Sequence, residues 1–209
     1  MGVFMRRLIF VRHALTDYNL VGSNGRFCGR VDPPLNTVGI AEAHAVRALL
    51  SSVKIETAYS STLSRSKVTA DIIVENRCPV HIDSRLEEIG YGEWEGLSKS
   101  DVRTHYPLQY EAFVSDPLHY CPPGGETAVE CLRRAKEWLA TVTALSVLVV
   151  GHKTWARLLI CDVLDINLGH FRTFIDPKIA AVTVLVCEEG AWRLEAVNFG
   201  ATLTRIFDT

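Results

Sequence analysis

The sequence predicts an α/β sandwich built on a mostly parallel sheet, and three observations carry that reading. Two apolar runs, Leu8 to Val11 and Leu145 to Val150, the second broken only by Ser146, have the composition of strands buried on both faces. Both runs end abruptly on polar chemistry, Arg12-His13 in one case and Gly151-His152 in the other. Around them, strand-like segments alternate with helices of apolar periodicity. Residues placed directly after a buried strand lie at its carboxyl end, where open α/β sheets put their ligand crevices. Two such strands ending on histidine suggest two adjacent sites at one sheet edge.

In chain order, Leu20 to Pro34 is rich in Gly, Asn, Pro and charge and reads as an exposed loop bordering the crevice of His13. Asn36 is placed to cap a helix whose apolar face would be Ile40, Ala43, Val46, Ala48, Leu49 and Leu50. Glu56 to Ser60 reads as the second strand, and Thr62 to about Asn76 as a helix with Val68, Ile72 and Ile73 turned inward. Arg65 falls in the first turn of that helix, where its charge opposes the dipole unless an anion lies nearby; the alternative is a surface arginine.

Pro79 to Ile82 reads as a short strand, and Ser84 to Gly96 as a loop carrying Glu87, Glu88, Glu93 and Glu95, three of which would form a solvated acidic face. Ser98 would cap a short helix to about His105, with a second helical piece from Pro107 to Phe113 and a rigid turn region from Pro117 to Gly125. The interval 97–122 reads as a short lid-like insert, too small to own a core, in a single domain spanning 1–209. Thr127 opens an amphipathic helix with Val129, Leu132, Ala135, Leu139 and Val142 on its stripe, extended by Trp138. Trp155 to Val163 would form the next helix, and Ala180 to Cys187 and Trp192 to Val197 the closing strands around a Glu189-Gly190 turn.

The 209 residues suit one domain with a full core, and 48% hydrophobic against 22% charged residues reads as globular and soluble. A formal charge of −2 offers no general attraction to nucleic acid or an anionic membrane, so any anion must be held by a local cluster. The six cysteines form no C-x-x-C pair and no zinc-like spacing with histidine. Met1 to Arg7 has no apolar stretch of signal-peptide length, Gly2 lacks the Ser or Thr at position 6 of a myristoylation pattern, and no run approaches a membrane span. Reduced thiols and a cytoplasmic location are therefore expected.

Five segments, in order, resemble the histidine phosphatases, the group that includes cofactor-dependent phosphoglycerate mutases. Leu8 to Asn19 carries R-H-x-x-T-x-x-N, and Ser60 to Ala70 is similar to S-S-x-L-x-R-x-x-x-T-A. Leu86 to Gly96 resembles L-x-E-x-x-[FY]-G-x-W-E-G, Pro123 to Thr127 resembles P-G-G-E-[ST], and Gly151-His152 supplies the second histidine. The resemblance implies a three-layer α/β/α sandwich, phosphoglycerate mutase-like, and a phosphoric monoester hydrolase of the phosphatase branch, such as the α-ribazole phosphatases or broad-specificity phosphatases.

Moving a tetrahedral phosphoryl anion needs fixed cations, a nucleophile and a proton source for the leaving oxygen. The resemblance implies that His13 is the nucleophile and forms a phosphohistidine. Arg12 and Arg65 would hold the non-bridging oxygens, His152, kept protonated by the phosphate, would add charge, and Asn19 would donate one further hydrogen bond. Glu88, three residues before Tyr91-Gly92, matches the motif's glutamate and would serve as acid and then base, with Glu87 as the neighbouring alternative. No metal and no cofactor are called for.

Three departures stand out. Ala14 and Leu15 replace the common glycine and acidic residue after R-H, and Lys153 stands where S-H-G has glycine. Lys153 either points into solvent or, with Arg26 and Arg30, binds a second anionic group on the substrate. The expected partner is a small-molecule phosphate ester, with no nucleic acid, no membrane, and a homodimer left open. A mutase reading asks for a longer insert with paired arginines, whereas Leu97 to Pro122 holds Arg103 alone. A catalytically silent phospho-ligand binding module is the third reading, against which stands the presence of Arg12, His13, Arg65, Glu88 and His152. Nothing in the sequence selects among α-ribazole phosphate, phosphoserine, sugar phosphates and bisphosphates.

Overall fold

The computed structural model of the chain describes residues 5–20 and 25–200, so the part of the first loop at 21–24 lies outside the described residues. The strands are β1 (Met5–Arg12), β2 (Thr57–Ser60), β3 (Val80–Ile82), β4 (Ser146–Gly151), β5 (Val182–Glu188) and β6 (Ala191–Phe199). They form one sheet of order β3-β2-β4-β1-β5-β6. The four strands from β3 to β1 run parallel, and β5 and β6 continue the sheet antiparallel, as a closing hairpin.

The alternation of β1 and β4 creates two cores. Leu8 and Phe10 face one side together with Val147 and Val149, while Ile9 and Val11 face the other with Leu148 and Val150. Helices α1 (Thr37–Leu49) and α2 (Ser64–Val74) cover the second face through Ala43, Val46, Ala70 and Ile73. Helices α5 (Ala128–Thr141) and α6 (Lys153–Val163) cover the first through Leu132, Trp138, Trp155 and Leu159. The result is the expected three-layer α/β/α sandwich. Asn36 caps α1 by accepting from Gly39 N–H, and Ser98 and Thr127 each close a capping box at the start of α3 (Lys99–His105) and α5.

Three apolar-face expectations are corrected. Ala48, Val68 and Val129 are exposed. In α2 the inward face is set by Arg65, Ser66, Thr69, Ala70, Ile73 and Val74, which puts Val68 on the opposite side of the helix. In α5 the buried stripe is Ala128, Cys131, Leu132, Ala135 and Trp138, one step round from Val129. In both helices polar or small side chains hold inward positions that a count of large apolar residues passes over.

A third, smaller core lies over the carboxyl end of the sheet. Phe27, Trp94 and Val102 are its buried members, with Tyr91, Tyr106, Tyr110 and Phe113 packed around them from the Glu-rich loop, α3 and α4 (Pro107–Ser115). After α6, a turn at Leu168–His170 leads into the single turn α7 (Phe171–Phe174), which sequence periodicity gives no sign of. Arg172 of α7 lays its guanidinium 4.0 Å from the centre of the Phe113 ring and donates to Phe113 O, tying α4 to the segment that precedes β5.

Candidate active site

Strand register builds the site. Arg12 pairs with Gly151 across β1 and β4, so the next residues, His13 and His152, leave the sheet side by side. His13 N–H donates to Gly151 O, and the two imidazole centroids lie 5.2 Å apart. The helix after β1 packs on one face and the helix after β4 on the other, so the pair sits at the switch point where an open α/β sheet splits to form a crevice.

The two rings are held differently. His13 is buried, and its Nδ1 lies 2.8 Å from Ala14 O. A carbonyl only accepts, so Nδ1 carries the proton and Nε2 keeps its lone pair. Burial, with the charges of Arg65 and Arg12, holds this imidazole well below the usual histidine range, so it is neutral at pH 7. His152 Nε2 instead meets Ser61 Oγ at 2.8 Å and Ser66 Oγ at 3.1 Å, while its buried Nδ1 has no partner among the described residues. Burial, then Arg65, His13 and Arg12, push His152 down in the same direction.

Arg65, fully buried on the first turn of α2, is not a surface arginine. Its guanidinium donates to Val31 O at 2.7 Å and Gly29 O at 2.8 Å, with Asp32 at 3.4 Å. Arg12 donates to Pro177 O at 3.1 Å, and burial brings it down to about 10, still charged at neutral pH. The Nε atoms of both arginines are buried without a partner among the described residues. With His152 Nδ1, three buried polar atoms on three candidate residues thus await an acceptor or donor, the pattern expected where a ligand's oxygens belong.

Glu88 is buried beside them and caps α6. Its Oε1 accepts from Ile89 and Trp155 N–H, and its Oε2 from Thr154 N–H at 2.9 Å. Two neighbouring carboxylates are not the solvated face expected. Glu87 accepts from Thr62 and pairs with Arg30. Glu95 accepts from Gly29, Arg30, Val31 and Tyr91 N–H at 2.8–3.1 Å, gathering the turn whose carbonyls hold Arg65. Glu93 is exposed.

The remaining sequence candidates divide. Asn19 accepts from Thr16 Oγ1 at 2.8 Å. Ala14 has no positive φ, so its methyl group strains nothing. Arg26 is exposed and donates to Gly96 O at 2.6 Å, and Arg30 is flanked by Glu87 and Glu126. Lys153 does not extend freely into solvent but pairs with Asp176. The sequence gives no sign of the cluster of Asp176, Arg157 and Lys178, because Asp176 and Lys178 lie in a segment without periodicity and Arg157 reaches them from α6. Nor does it mark the pair of Glu126 and Arg134, joined through both carboxylate oxygens at 2.7 and 3.0 Å. Arg134 further donates to Glu88 O and Arg85 O, so the P-G-G-E turn anchors the Glu88 loop on α5. Among the described residues, no group of three or more His, Cys, Asp or Glu could hold a metal ion.

Residues 8–200 match the histidine phosphatase superfamily (branch 1), and the chain belongs to that superfamily. It is 33% identical over 175 residues to phosphoserine phosphatase 1 of Hydrogenobacter thermophilus, covering 81% of this chain and 82% of that one. It is 30% identical over 174 residues to the adenosylcobalamin/alpha-ribazole phosphatase of Salmonella typhimurium, covering 79% and 85%. The alpha-ribazole phosphatase from Shigella flexneri superposes with a TM-score of 0.85 at 25% identity, over 93% of this chain and 97% of that one.

Proposed function

We propose that the protein is a metal-independent phosphomonoesterase that hydrolyses a small phosphorylated metabolite through a phosphohistidine on His13. The observation that carries this reading is the neutral His13 imidazole, its proton on Nδ1 and its lone pair on Nε2, set against two buried arginines whose Nε atoms have no partner among the described residues. In the first step Nε2 forms a bond to phosphorus, the bond to the ester oxygen breaks, and the Glu88 carboxyl gives its proton to that oxygen. In the second, Glu88 takes a proton from water, the water oxygen bonds to phosphorus, and the N–P bond breaks to release inorganic phosphate and restore His13. Arg12 and Arg65 hold the equatorial oxygens throughout, and His152 carries added positive charge once the phosphate dianion sits beside it.

Hydrolysis is favoured over phosphoryl transfer between metabolites because Arg103, the sole arginine of the 97–122 interval, is exposed on α3. That interval, α3 and α4 with their aromatic core, serves as a lid in a single-domain chain. The six free cysteines support a cytoplasmic location, and no helix among the described residues is long and apolar enough to cross a membrane. The test is a metabolite panel followed by trapping. A good substrate mixed briefly with the enzyme and quenched in alkali should leave label on His13. Label on a serine, or none under rapid quenching of an active preparation, would count against the scheme.

A further inference from the structure

We infer that the substrate carries a second anionic group close to its phosphoryl group, and that Lys153 and Lys178 bind it beside Asp176. This rests on the phosphomonoesterase reading and names the substrate class for that same site. Asp176 is the meeting point of three cations: Lys153 at 2.5 Å, Arg157 at 2.7 Å and Lys178 at 2.9 Å. One carboxylate thus faces three cations, and the next carboxylate to act on them, Glu88, bears on Arg157, so the two lysines share Asp176. Burial works against charge on Asp176, yet the bonds from Lys153 and Lys178 and the charges of Lys153 and Arg157 hold its carboxyl well below the usual range.

The cluster is rigid and adjoins the reacting end. Asn198 donates to Asp176 O at 3.0 Å and accepts from Lys178 N–H at 2.8 Å, and Arg157 donates to Ile175 O at 2.7 Å. Pro177, the next residue, is the one whose carbonyl receives Arg12, and Lys153 follows His152 directly. Arg157 is occupied by Ile175 O and Asp176. Each lysine ammonium has three N–H donors and spends one on Asp176, so donors as well as charge are left over. Burial first, then the charges of Arg12 and Arg157, lower Lys153 to about 8 in spite of its bond to Asp176. Arg30 lacks this surplus, since two carboxylates flank it.

A carboxylate and a second phosphate would satisfy the same donors, and the substrates separate them. Three esters should be compared: a phosphorylated hydroxy acid, a bisphosphate and a plain aryl phosphate. For Lys178→Met and Lys153→Met, the ratio of kcat/KM for a doubly anionic ester to that for the aryl phosphate should fall about 10–100-fold, mainly through KM, the worth of a lost charged hydrogen bond. Lys178→Arg should restore most of the ratio. The doubly anionic ester that wild type prefers identifies the group. Calorimetry adds a readout independent of turnover: phosphonopropionate should bind wild type more tightly than methylphosphonate, and the Lys→Met variants should lose that preference. An unchanged ratio with equal binding of the two phosphonates overturns the inference, as does an equal loss on all three esters, which would make the cluster a support for Arg12. A wild type that binds the phosphonates with the stated preference but turns over no ester overturns the hydrolase reading and leaves the anion site standing.

Discussion

The ends of β1 and β4 are near copies in sequence, an apolar run closing on a histidine, and the two rings are neighbours in space; their hydrogen bonds nevertheless separate them. His13 gives its only proton to the adjacent carbonyl of its own chain and keeps a lone pair. His152 is held through Nε2 by the hydroxyls of Ser61 and Ser66, from the β2 end and α2, and its Nδ1 has no partner among the described residues. One arrangement suits an attacking nitrogen, the other a ring that takes up a proton when an anion arrives. Burial makes both neutral, so position alone does not distinguish them; the partners do.

Breaking the β1 side should have the largest effect. His13→Ala should lower kcat by about 10⁴-fold or more, as expected when the nucleophile of a covalent mechanism is removed. Its thermal melt should stay cooperative, which circular dichroism would check. An activity loss matched by His152→Ala, with the label still absent from both, would erase the distinction drawn between the two rings.

Glu88 links the two sides, because it accepts from the first turn of α6, which follows His152, and is the proposed proton donor to the leaving group. Glu88→Gln should slow an alkyl phosphate about 10²–10⁴-fold, the usual worth of general acid catalysis, and an activated aryl phosphate much less in single-turnover phosphorylation. Equal losses would point to Glu87, whose carboxylate is already engaged by Thr62 and Arg30.

The smallest expected signal sharpens the role of His152. His152→Ala should cost about 10²–10³-fold in kcat, the range for one lost group that stabilises transition-state charge. In the wild type, phosphate binding should draw a proton onto this ring, visible as a binding enthalpy that changes with the ionisation enthalpy of the buffer; the alanine variant should show none. The same burial fixes the sign for stability. Both rings have folded pKa values below 6.5, so the unfolded chain binds more protons, and their contribution is complete above pH 6.5 and is lost as pH falls below it. Phosphate should offset that loss.

Much of this was legible in the sequence wherever a residue belonged to a periodic element or a motif. β1 and β4 are announced by apolar runs and α5 by its cap and apolar stripe, and Arg12 and His13 at the end of β1 lie beside His152 after β4. What escaped depends on pairing at a distance. Nothing in the local sequence around Asp176 tells that it collects Lys153 and Arg157 from α6, and nothing in a Glu-rich loop says which carboxylates turn inward. Arg134 looks like an exposed helix position until Glu126, eight residues earlier, is seen to fold back on it. The faces of α2 and α5 differ from expectation for a related reason, since Arg65, Ser66 and Thr69 in α2 and Cys131 and Arg134 in α5 occupy inward positions that a stripe of large apolar residues does not mark.

The Glu95 carboxylate, with its four backbone N–H donors, bears on how this pocket could be altered. It belongs to one loop yet dictates the shape of another, and through the carbonyls of Gly29 and Val31 it governs the seat of Arg65. Grafting the turn near Gly29 from a relative, without the segment around Glu95, would import a shape with nothing to enforce it. The two stretches, more than sixty residues apart in the chain, therefore make one module, and in an engineered or shuffled variant they have to travel together.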